Sequence, residues 1–418
     1  MGVQGEGKPF SKGFPSPWPP EAKPVKTLYL KRNEERRIRA GHLWIFSSEV
    51  DAARSPIKTF EPGEEVRVVD SAGGFVAMAY VNPTPLIFGR VYSRASGDRL
   101  DADLLAKRLR QALDLRERLF DSPHYRLCFG EGDFLPGLVV DRFGDVLVAQ
   151  LTTAGLDVRR KAVAEALREV AGPARIVFKN DSPARELEGL PLVVEALEGE
   201  VPDEVELSES GARFVTPLAG GQKTGWYYDM RPNRLLLAGL AKGGRVLDVF
   251  SYVGGLGVLA ASRGASEAVC LDSSETALAY VARNAELNGV ADRVSAERGD
   301  AFDLLAALHE AGERFDAVSV DPPAFIKRKK DHAQGMQAYV TINRLAMRLV
   351  RDGGWLLSSS CSQHLSREEL RMVVGKAASK AGARAQIVAQ GHQGPDHPVH
   401  PAMPETDYLK SYLVRVPR

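Results

Sequence analysis

The pattern of hydrophobic and polar positions changes twice along the chain, which divides it into three regions. From residue 25 to residue 96, short alternating apolar runs are separated by turns that contain Gly or Pro. Runs and turns of this kind are typical of β-strands. The predicted strands cover residues 27–30, 43–46, 65–69, 75–80 and 87–92. Closely spaced short strands predict a small β domain in this first region.

The second region, residues 97–205, mixes helical and strand patterns. Apolar residues recur at helical spacing over 101–120 and predict one amphipathic helix, with a second over 158–170. Strands are expected at residues 126–129, 145–151, 175–178 and 192–194, and tight turns at 130–133 and 135–137. These elements predict a central α+β domain.

The third region, residues 206–418, alternates apolar strands with amphipathic helices. Strands are predicted at residues 245–250, 268–271, 294–297, 317–320, 355–359, 384–389 and 409–416. Helices are predicted from residue 255 and over 275–288, 302–311, 334–350 and 367–380. Repeated βα units indicate a doubly wound, mostly parallel sheet, so the chain is predicted to be α/β with a Rossmann-like C-terminal domain. Ligands of such sheets bind beyond the carboxyl ends of the strands.

Composition narrows the class of protein. Hydrophobic residues make up 44% of the chain and charged residues 26%, as in globular proteins. No apolar run approaches the roughly 18 residues of a membrane-spanning helix. Residues 1–24 are rich in Gly and Pro, which predicts a disordered tail rather than a secretory signal. Three cysteines do not form a disulfide framework, so we expect a cytoplasmic protein.

Carboxylates follow four successive strands of the third region. Asp248 ends the first strand, before a Gly-rich turn that also serves nicotinamide and flavin cofactors in other proteins. A carboxylate there disfavours a diphosphate and suits a cationic sulfonium ligand with an amino group. Each Asp alone could be a helix cap, but four in succession favour S-adenosylmethionine. The predicted cofactor residues at these strand ends are Asp248, Phe250, Ser251, Gly254, Gly255, Gly257, Asp272, Ser273, Asp300, Ala301, Asp321 and Pro322.

Several motifs make the chain similar to a known family. Residues 220–234 (GGQKTGWYYDMRPNR), together with Asp-Pro-Pro-Ala-Phe at 321–325 and Ser-Ser-Cys-Ser at 359–362, resemble the bacterial 23S ribosomal RNA cytosine-5 methyltransferases. Further matches at residues 41–46, 129–131, 135–141, 397–398 and 408–411 extend the resemblance over nearly the whole chain. It implies an N-terminal PUA RNA-binding domain, a catalytic methyltransferase domain, and 23S rRNA as partner, naked or in a pre-50S particle. It also implicates Lys223, Thr224 and Gly225 as neighbours of the cofactor.

Cys361 is the predicted nucleophile. C5 of cytosine is a poor nucleophile until a thiolate adds to C6, and positive surroundings can lower the pKa of such a thiol. Polar neighbours on both sides of Cys361 argue against a core position, whereas Cys128 and Cys270 lie in apolar strands. The resemblance assigns the same role to Cys361. Asp321 is expected to contact N3 or the amine of the base, and His364 or a water is a candidate for removing the C5 proton.

Substrate contacts are expected around the loop after the fourth strand. The candidates are Pro323, Phe325, Lys327, Arg328, Lys329 and Lys330, the basic ones as phosphate contacts. The basic run at residues 31–39 is either a second RNA contact or a solvated surface. Trp44 and Tyr80 are candidates for stacking on bases, with core packing as the alternative.

Other functions remain open from the sequence. A guanine-N2 methyltransferase needs no thiol and usually carries an aromatic residue directly after the two prolines, where this chain has Ala324. An RNA-binding assembly factor without catalysis and a nicotinamide oxidoreductase fit less well. No metal is expected in the site, and a homodimer is a candidate oligomeric state.

Overall fold

The computed structural model of the protein describes residues 25–418. The predicted disordered tail, residues 1–24, lies outside the described residues. Within residues 25–418, no helix is long and apolar enough to cross a membrane.

The first domain is a five-stranded sheet with strand order β1-β3-β4-β5-β2. Its elements are β1 (Lys26–Tyr29), α1 (Glu35–Arg39), β2 (Trp44–Phe46), β3 (Glu64–Val69), β4 (Phe75–Val81) and β5 (Ile87–Ser93). Apolar side chains hold β3 in this sheet, because Val66, Val68 and Val69 are buried whereas Arg67 is half-buried. The predicted small β domain is therefore present.

The two aromatic residues proposed for base stacking have structural roles instead. Tyr80 is 2% exposed. Its hydroxyl donates to the Pro136 carbonyl at 2.7 Å and pairs with Thr153 at 2.9 Å, so it joins the first domain to the second. Trp44 is half-buried and its indole N–H donates to Glu131 at 2.7 Å. Of the two alternatives left open for Tyr80, the structure shows core packing, because its ring is buried.

The central domain contains a sheet of order β10-β9-β8-β7-β6. Its elements are α2 (Ala102–Leu119), β6 (His124–Phe129), β7 (Leu138–Phe143), β8 (Val146–Leu151), α3 (Ala154–Asp157), α4 (Arg160–Ala171), β9 (Arg175–Asn180), α5 (Ala184–Leu187) and β10 (Val193–Ala196). The predicted α+β character holds, but strand β7 was not predicted. A hairpin of β11 (Glu204–Glu209) and β12 (Ala212–Pro217) follows, and the predicted domain boundary before residue 206 falls inside its first strand.

The third domain is a seven-stranded sheet of order β15-β14-β13-β16-β17-β19-β18. Its elements are α6 (Arg231–Leu240), β13 (Arg245–Val249), α7 (Gly255–Ser262), β14 (Glu267–Asp272), α8 (Glu275–Leu287), β15 (Val294–Arg298), α9 (Ala301–Glu310), β16 (Phe315–Val320), α10 (His332–Leu349), β17 (Val350–Ser360), α11 (Arg367–Ala381), β18 (Gln386–Gly391) and β19 (Lys410–Val416). The Rossmann-like prediction is confirmed.

The order of the strands determines where a ligand can bind. The chain runs outward from β13 through β14 to β15, and then returns to add β16 and β17 on the other side of β13. The topology therefore reverses between β13 and β16, which are parallel neighbours with Val249 opposite Val320. The crevice at such a reversal is the usual ligand site of open α/β sheets.

The buried side chain of Arg116 connects the central domain to the third domain. Arg116 is completely buried and donates to both carboxylate oxygens of Asp133, at 2.6 and 2.7 Å. The same guanidinium donates to the Asp396 carbonyl at 2.7 Å, in the loop between β18 and β19. Because a buried charge is costly unless it is paired, this network holds the loop in one position.

Candidate active site

A cavity of about 770 Å³ lies at the carboxyl ends of β13, β14, β16 and β17, a volume typical of small-molecule sites. Most of the predicted site residues meet there. Those that line it are Lys223, Asp248, Phe250, Ser251, Gly255, Asp272, Ser273, Asp321, Pro322, Pro323, Lys327 and Cys361.

The Gly-rich turn after β13 brings backbone close to the cavity. Gly254 has a φ of +82°, a left-handed conformation that favours glycine. A Cβ on Gly257 would lie 2.3 Å from Cys270 Sγ, so a larger residue there requires the Cys270 side chain to shift. The Gly257 N–H donates to Asp248 at 3.0 Å. Burial raises the pKa of Asp248 to about 6, although this N–H and Arg234 oppose the shift.

The surroundings of Ser251 indicate whether the cavity suits a polar ligand. Its flanking residues Phe250 and Tyr252 have φ values of +65° and +51°, a strained conformation for residues with side chains. Its hydroxyl is buried and has no hydrogen-bond partner among the described residues. An unpartnered buried hydroxyl beside two carboxylates, Asp248 and Asp272, fits the amino, carboxylate and ribose groups of S-adenosylmethionine.

The two predicted adenosine contacts differ in their surroundings. Asp272 lines the cavity, and its oxygens accept from the Tyr252 and Ser274 N–H groups, each at 2.9 Å. Those bonds fix the carboxylate while leaving lone pairs for ribose hydroxyls. Asp300 caps α9 by accepting from the Phe302 N–H at 2.8 Å. Neither Asp300 nor Ala301 lines the cavity, so their contact with adenine stays a prediction.

The segment Lys223-Thr224-Gly225 is held by the central domain. Thr224 is completely buried and its hydroxyl donates to Asp141 of strand β7. Gly225 has a φ of +113°, which favours glycine. Thr224 and Gly225 do not line the cavity, whereas Lys223 does, with Nζ 4.5 Å from the centre of the Tyr227 ring. Thr224 and Gly225 therefore position Lys223 at the cavity.

Asp321 and Cys361 follow the neighbouring parallel strands β16 and β17, which pair Val320 with Ser358. Burial and the Asp229 carboxylate raise the pKa of Asp321 to about 7, against the effect of Lys223. Burial and Asp321 also raise the pKa of the Cys361 thiol, again opposed by Lys223. Lys223 is thus the positive neighbour that favours the thiolate, but burial and the carboxylates outweigh its effect on the pKa of Cys361.

Hydrogen bonds join the two loops that carry Asp321 and Cys361. The Ser362 hydroxyl donates to the Ile326 carbonyl at 2.8 Å. The Ser360 hydroxyl donates to Tyr339 at 2.8 Å, and the buried Lys410 ammonium donates to the Ser362 carbonyl at 2.6 Å. These buried bonds fix the thiol relative to the carboxylate. The sequence did not identify Lys410 as a site residue.

The predicted substrate residues divide into two groups. Lys327 lies at the cavity, and Arg328, Lys329 and Lys330 continue from it as an exposed basic run. Phe325 instead packs against Tyr339, with ring centres 4.8 Å apart, and does not line the cavity. Its predicted contact with substrate therefore gains no support from the geometry.

Further residues line the cavity that the sequence did not single out. They are Pro183, Gln222, Trp226, Tyr227, Asp229, Met230, Arg234, Tyr252, Val253, Leu256, Ser319, Ala324 and Leu409. Asp229 adds a carboxylate to the cavity and lies within the motif at residues 220–234. The available sequence signal was a carboxylate directly after Tyr227 and Tyr228 in that motif. Pro183 shows that the central domain forms one wall of the cavity.

Comparisons with known proteins agree with this architecture. A family model described as a PUA-like domain matches residues 28–94, and one described as an S-adenosylmethionine-dependent methyltransferase matches residues 190–402. The ribosomal RNA large subunit methyltransferase I of Erwinia tasmaniensis is 36% identical over 396 residues, covering 93% of this chain and 99% of that protein. The protein of the same name from Tolumonas auensis is 37% identical over 395 residues, with the same coverage of 93% and 99%.

Solved structures share the fold. An S-adenosylmethionine-dependent methyltransferase from Streptococcus mutans superposes with a TM-score of 0.79 at 21% identity, covering 94% of this chain and 100% of that one. A methyltransferase structure in complex with SAH has a TM-score of 0.80 at 20% identity, with the same coverage. At these identities the likeness concerns the fold.

Proposed function

This chain belongs to the family of S-adenosylmethionine-dependent methyltransferases, and on that premise we propose that it methylates C5 of a cytosine in large-subunit ribosomal RNA through a covalent bond from Cys361. The relatives' name supports the RNA class, and the PUA-like domain supports RNA binding. The basic run from Lys327 to Lys330 at the cavity mouth supplies phosphate contacts, which anchor RNA without reading its sequence.

One observation carries the choice of C5. Cys361 and Asp321 line one cavity from adjacent strand ends, and hydrogen bonds fix the loops that carry them. Methylation of an exocyclic amine requires no thiol. A thiol beside a carboxylate is the pair that addition to C6 of cytosine requires, because the sulfur attacks while a proton is delivered to N3.

The addition step balances with these two residues alone. Near neutral pH the Asp321 carboxylate, with a pKa of about 7, accepts the proton of the Cys361 thiol. Sγ then bonds to C6, the C5=C6 electron pair moves to C4–C5, and the C4=N3 pair takes the proton back from Asp321 at N3. C5 becomes the nucleophilic end of an enamine.

The cofactor residues complete the arrangement. When bound, S-adenosylmethionine supplies the electrophilic methyl group. Asp248 and Ser251 would hold its amino acid portion, and Asp272 its ribose. Lys223 faces the crevice and favours the thiolate form of Cys361. Pro322 and Pro323 hold the loop that presents Asp321 in a fixed direction, since proline fixes φ.

The test uses the full-length protein, labelled S-adenosylmethionine and large-subunit RNA that lacks the modification. We expect 5-methylcytidine in the digested product from the wild type and from Cys128→Ala, whose thiol is buried in the central domain and does not line the cavity. We expect none from Cys361→Ala. Methylated guanosine as the product, or normal methylation by Cys361→Ala, would contradict the proposal, and absence of transfer to any RNA would favour a binding factor.

A further inference from the structure

The Asp229 carboxylate lines the same cavity as Cys361 and Asp321 and takes no part in the steps above. We propose that Asp229 is the base that removes the C5 proton and so releases Cys361 from the methylated cytosine. This inference rests on the proposed function and assigns a step that the addition chemistry leaves open.

The backbone around Asp229 directs its side chain into the cavity. Asp229 lies in the short turn Tyr228–Met230 that leads into α6, and the Tyr228 hydroxyl donates to the Arg142 carbonyl at 2.9 Å. The Asp229 carbonyl accepts from the Gly394 N–H at 2.8 Å. Tyr228 is anchored in the core and the main chain is fixed on both sides, so the carboxylate has little freedom to turn away.

One carboxylate oxygen of Asp229 has a partner and the other has none. The Tyr408 hydroxyl donates to Oδ2. Oδ1 is buried and has no hydrogen-bond partner among the described residues, and the whole residue is 5% exposed. Leaving a buried charged oxygen unpaired is costly. An unpaired oxygen at a cavity wall therefore indicates a ligand atom as its partner.

The environments of the two carboxylates assign them different tasks. Burial opposes ionisation of Asp229, but Lys223, His397 and the Tyr408 hydroxyl outweigh it and lower its pKa. Asp321 shows the opposite shift, with its pKa raised to about 7 by burial and by Asp229 itself. Neighbouring carboxyl groups whose pKa values diverge are the usual arrangement of an acid and a base in one site. Asp229 is the one that stays ionised.

Other groups are less suited to the step. His364, close to Cys361 in sequence, does not line the cavity. Asp248 and Asp272 are bound to backbone N–H groups of the Gly-rich turn and the loop after β14, on the cofactor side. The two carboxylates that raise the pKa of Cys361 are Asp321 and Asp229. Asp321 already exchanges a proton with N3 of the cytosine in the proposed mechanism, which leaves Asp229 for C5.

The release step then balances. After methyl transfer, C5 carries both the new methyl group and its original hydrogen, and C6 is bonded to Sγ. Asp229 takes the C5 proton, the C5–H electron pair forms C5=C6, and the C6–Sγ pair returns to sulfur. The proton at N3 goes back to Asp321. No oxidant or further reactant is needed.

The test compares Asp229→Asn with the wild type on unmodified RNA in the presence of labelled S-adenosylmethionine. The variant should transfer one methyl group per enzyme and then stop, so that a denaturation-resistant protein–RNA band carries the label. Multiple turnover should fall by about 100-fold or more, as expected for loss of a general base. At pH 8, where Asp321 is ionised with or without the Asp229 charge, RNA with 5-fluorocytosine should still trap the variant within about threefold of the wild-type rate, because trapping needs no removal of a proton from C5.

The outcomes separate the two proposals. If the wild type forms no adduct with 5-fluorocytosine, the proposed function fails; if it does and Asp229→Asn turns over normally or loses trapping, Asp229 is not the base. Tyr408→Phe provides a second variant. It removes the hydrogen bond that favours ionised Asp229 and leaves the other groups around it in place, namely Arg126, Lys223, Asp321, Cys361 and His397. The acid limb of the release rate should move to higher pH, and an unchanged limb would overturn the assignment.

Discussion

The Ser362 hydroxyl donates a hydrogen bond of 2.8 Å to the carbonyl of Ile326, and so connects the loop of Cys361 to the loop of Asp321. Both groups are buried. The thiol and the carboxylate come from different strands, and neither loop alone sets their separation.

Ser362→Ala should slow formation of the covalent adduct by about 10-fold, because catalytic groups held loosely reach the reactive geometry less often. It should also lower the free energy of unfolding by about 1–3 kcal/mol, since the Ile326 carbonyl loses its partner. The matched control is Ser359→Ala, which breaks a buried 2.8 Å bond to Ser411 between β17 and β19. The control should lose similar stability and keep the adduct rate; equal rates in the two variants would contradict the role of Ser362.

Thr224→Val should weaken binding of S-adenosylmethionine by about 10-fold, equivalent to about 1.4 kcal/mol. Valine has the same shape but cannot donate to Asp141, so the Lys223 segment loses its anchor in the central domain. Isothermal titration calorimetry measures the effect. Thr153→Val, which removes a buried hydroxyl next to Tyr80, is the control and should bind the cofactor normally. Unchanged binding by Thr224→Val would show that the anchor does not matter.

Gly257→Ala should destabilise the protein by about 1–3 kcal/mol through overpacking, because the new Cβ would lie 2.3 Å from Cys270 Sγ. Cofactor binding should weaken with it, since α7 begins at this turn. The double variant Gly257→Ala with Cys270→Ala should recover much of both losses, because the next atoms, on Asp248 and Ala268, lie at 3.7 and 3.8 Å. If the melting temperature of the double variant decreased by the sum of the decreases in the two single variants, this packing would be contradicted.

The raised pKa of Asp321 predicts a dependence of stability on pH. In the unfolded chain this carboxyl group ionises near 3.8, whereas in the folded protein it ionises near 7. Between these values the folded state binds more protons, so the contribution of Asp321 to stability falls as pH rises from about 4 to about 7. Asp321→Asn lacks this loss. The melting temperature of the variant minus that of the wild type should therefore increase between pH 5 and pH 8, and a difference independent of pH would contradict the shift.

Ionisation of Asp321 should also determine how the rate of adduct formation depends on pH. This rate should increase with pH, whereas the contribution of Asp321 to stability decreases. Asp321 must be ionised to take the thiol proton, so the rate should rise with pH and level off above about 7. Pre-steady-state trapping by 5-fluorocytosine RNA measures it. A rate without an inflection near neutral pH would exclude Asp321 as the acceptor.

Local patterns in the sequence were enough to predict the strands of the catalytic sheet. The buried parts of β16 and β17 contain short, mainly apolar runs at residues 317–320 and 355–357, and the polar residues Asp321 and Cys361 follow the two strands. The meeting of these two residues followed from the general rule for doubly wound sheets. Strand β7 was missed because it directly follows Leu135-Pro136-Gly137, which was interpreted as a turn without a strand behind it.

The features that the sequence did not predict depend on contacts between distant segments. Tyr80 is buried because Pro136 and Thr153 of another domain cover it. The pKa of Cys361 is raised by burial and by Asp321 and Asp229, which converge on the thiol from separate elements. In the sequence, Asp229 is only one acidic residue within a motif. The structure shows that Tyr408 donates to one of its carboxylate oxygens and that the other has no partner among the described residues. Local propensity carries no information on such long-range pairings.

The central claim is the bond between Cys361 and the target cytosine, and mass spectrometry of the trapped complex tests it most directly. The wild type is incubated with S-adenosylmethionine and 5-fluorocytosine RNA, denatured, and digested with nuclease and trypsin. Cys361 is the single cysteine of the expected tryptic peptide, residues 352–367. We predict that this peptide carries one methylated fluorocytidine nucleotide on Cys361. An unmodified 352–367 peptide, or the nucleotide on Cys128 or Cys270, would contradict the account.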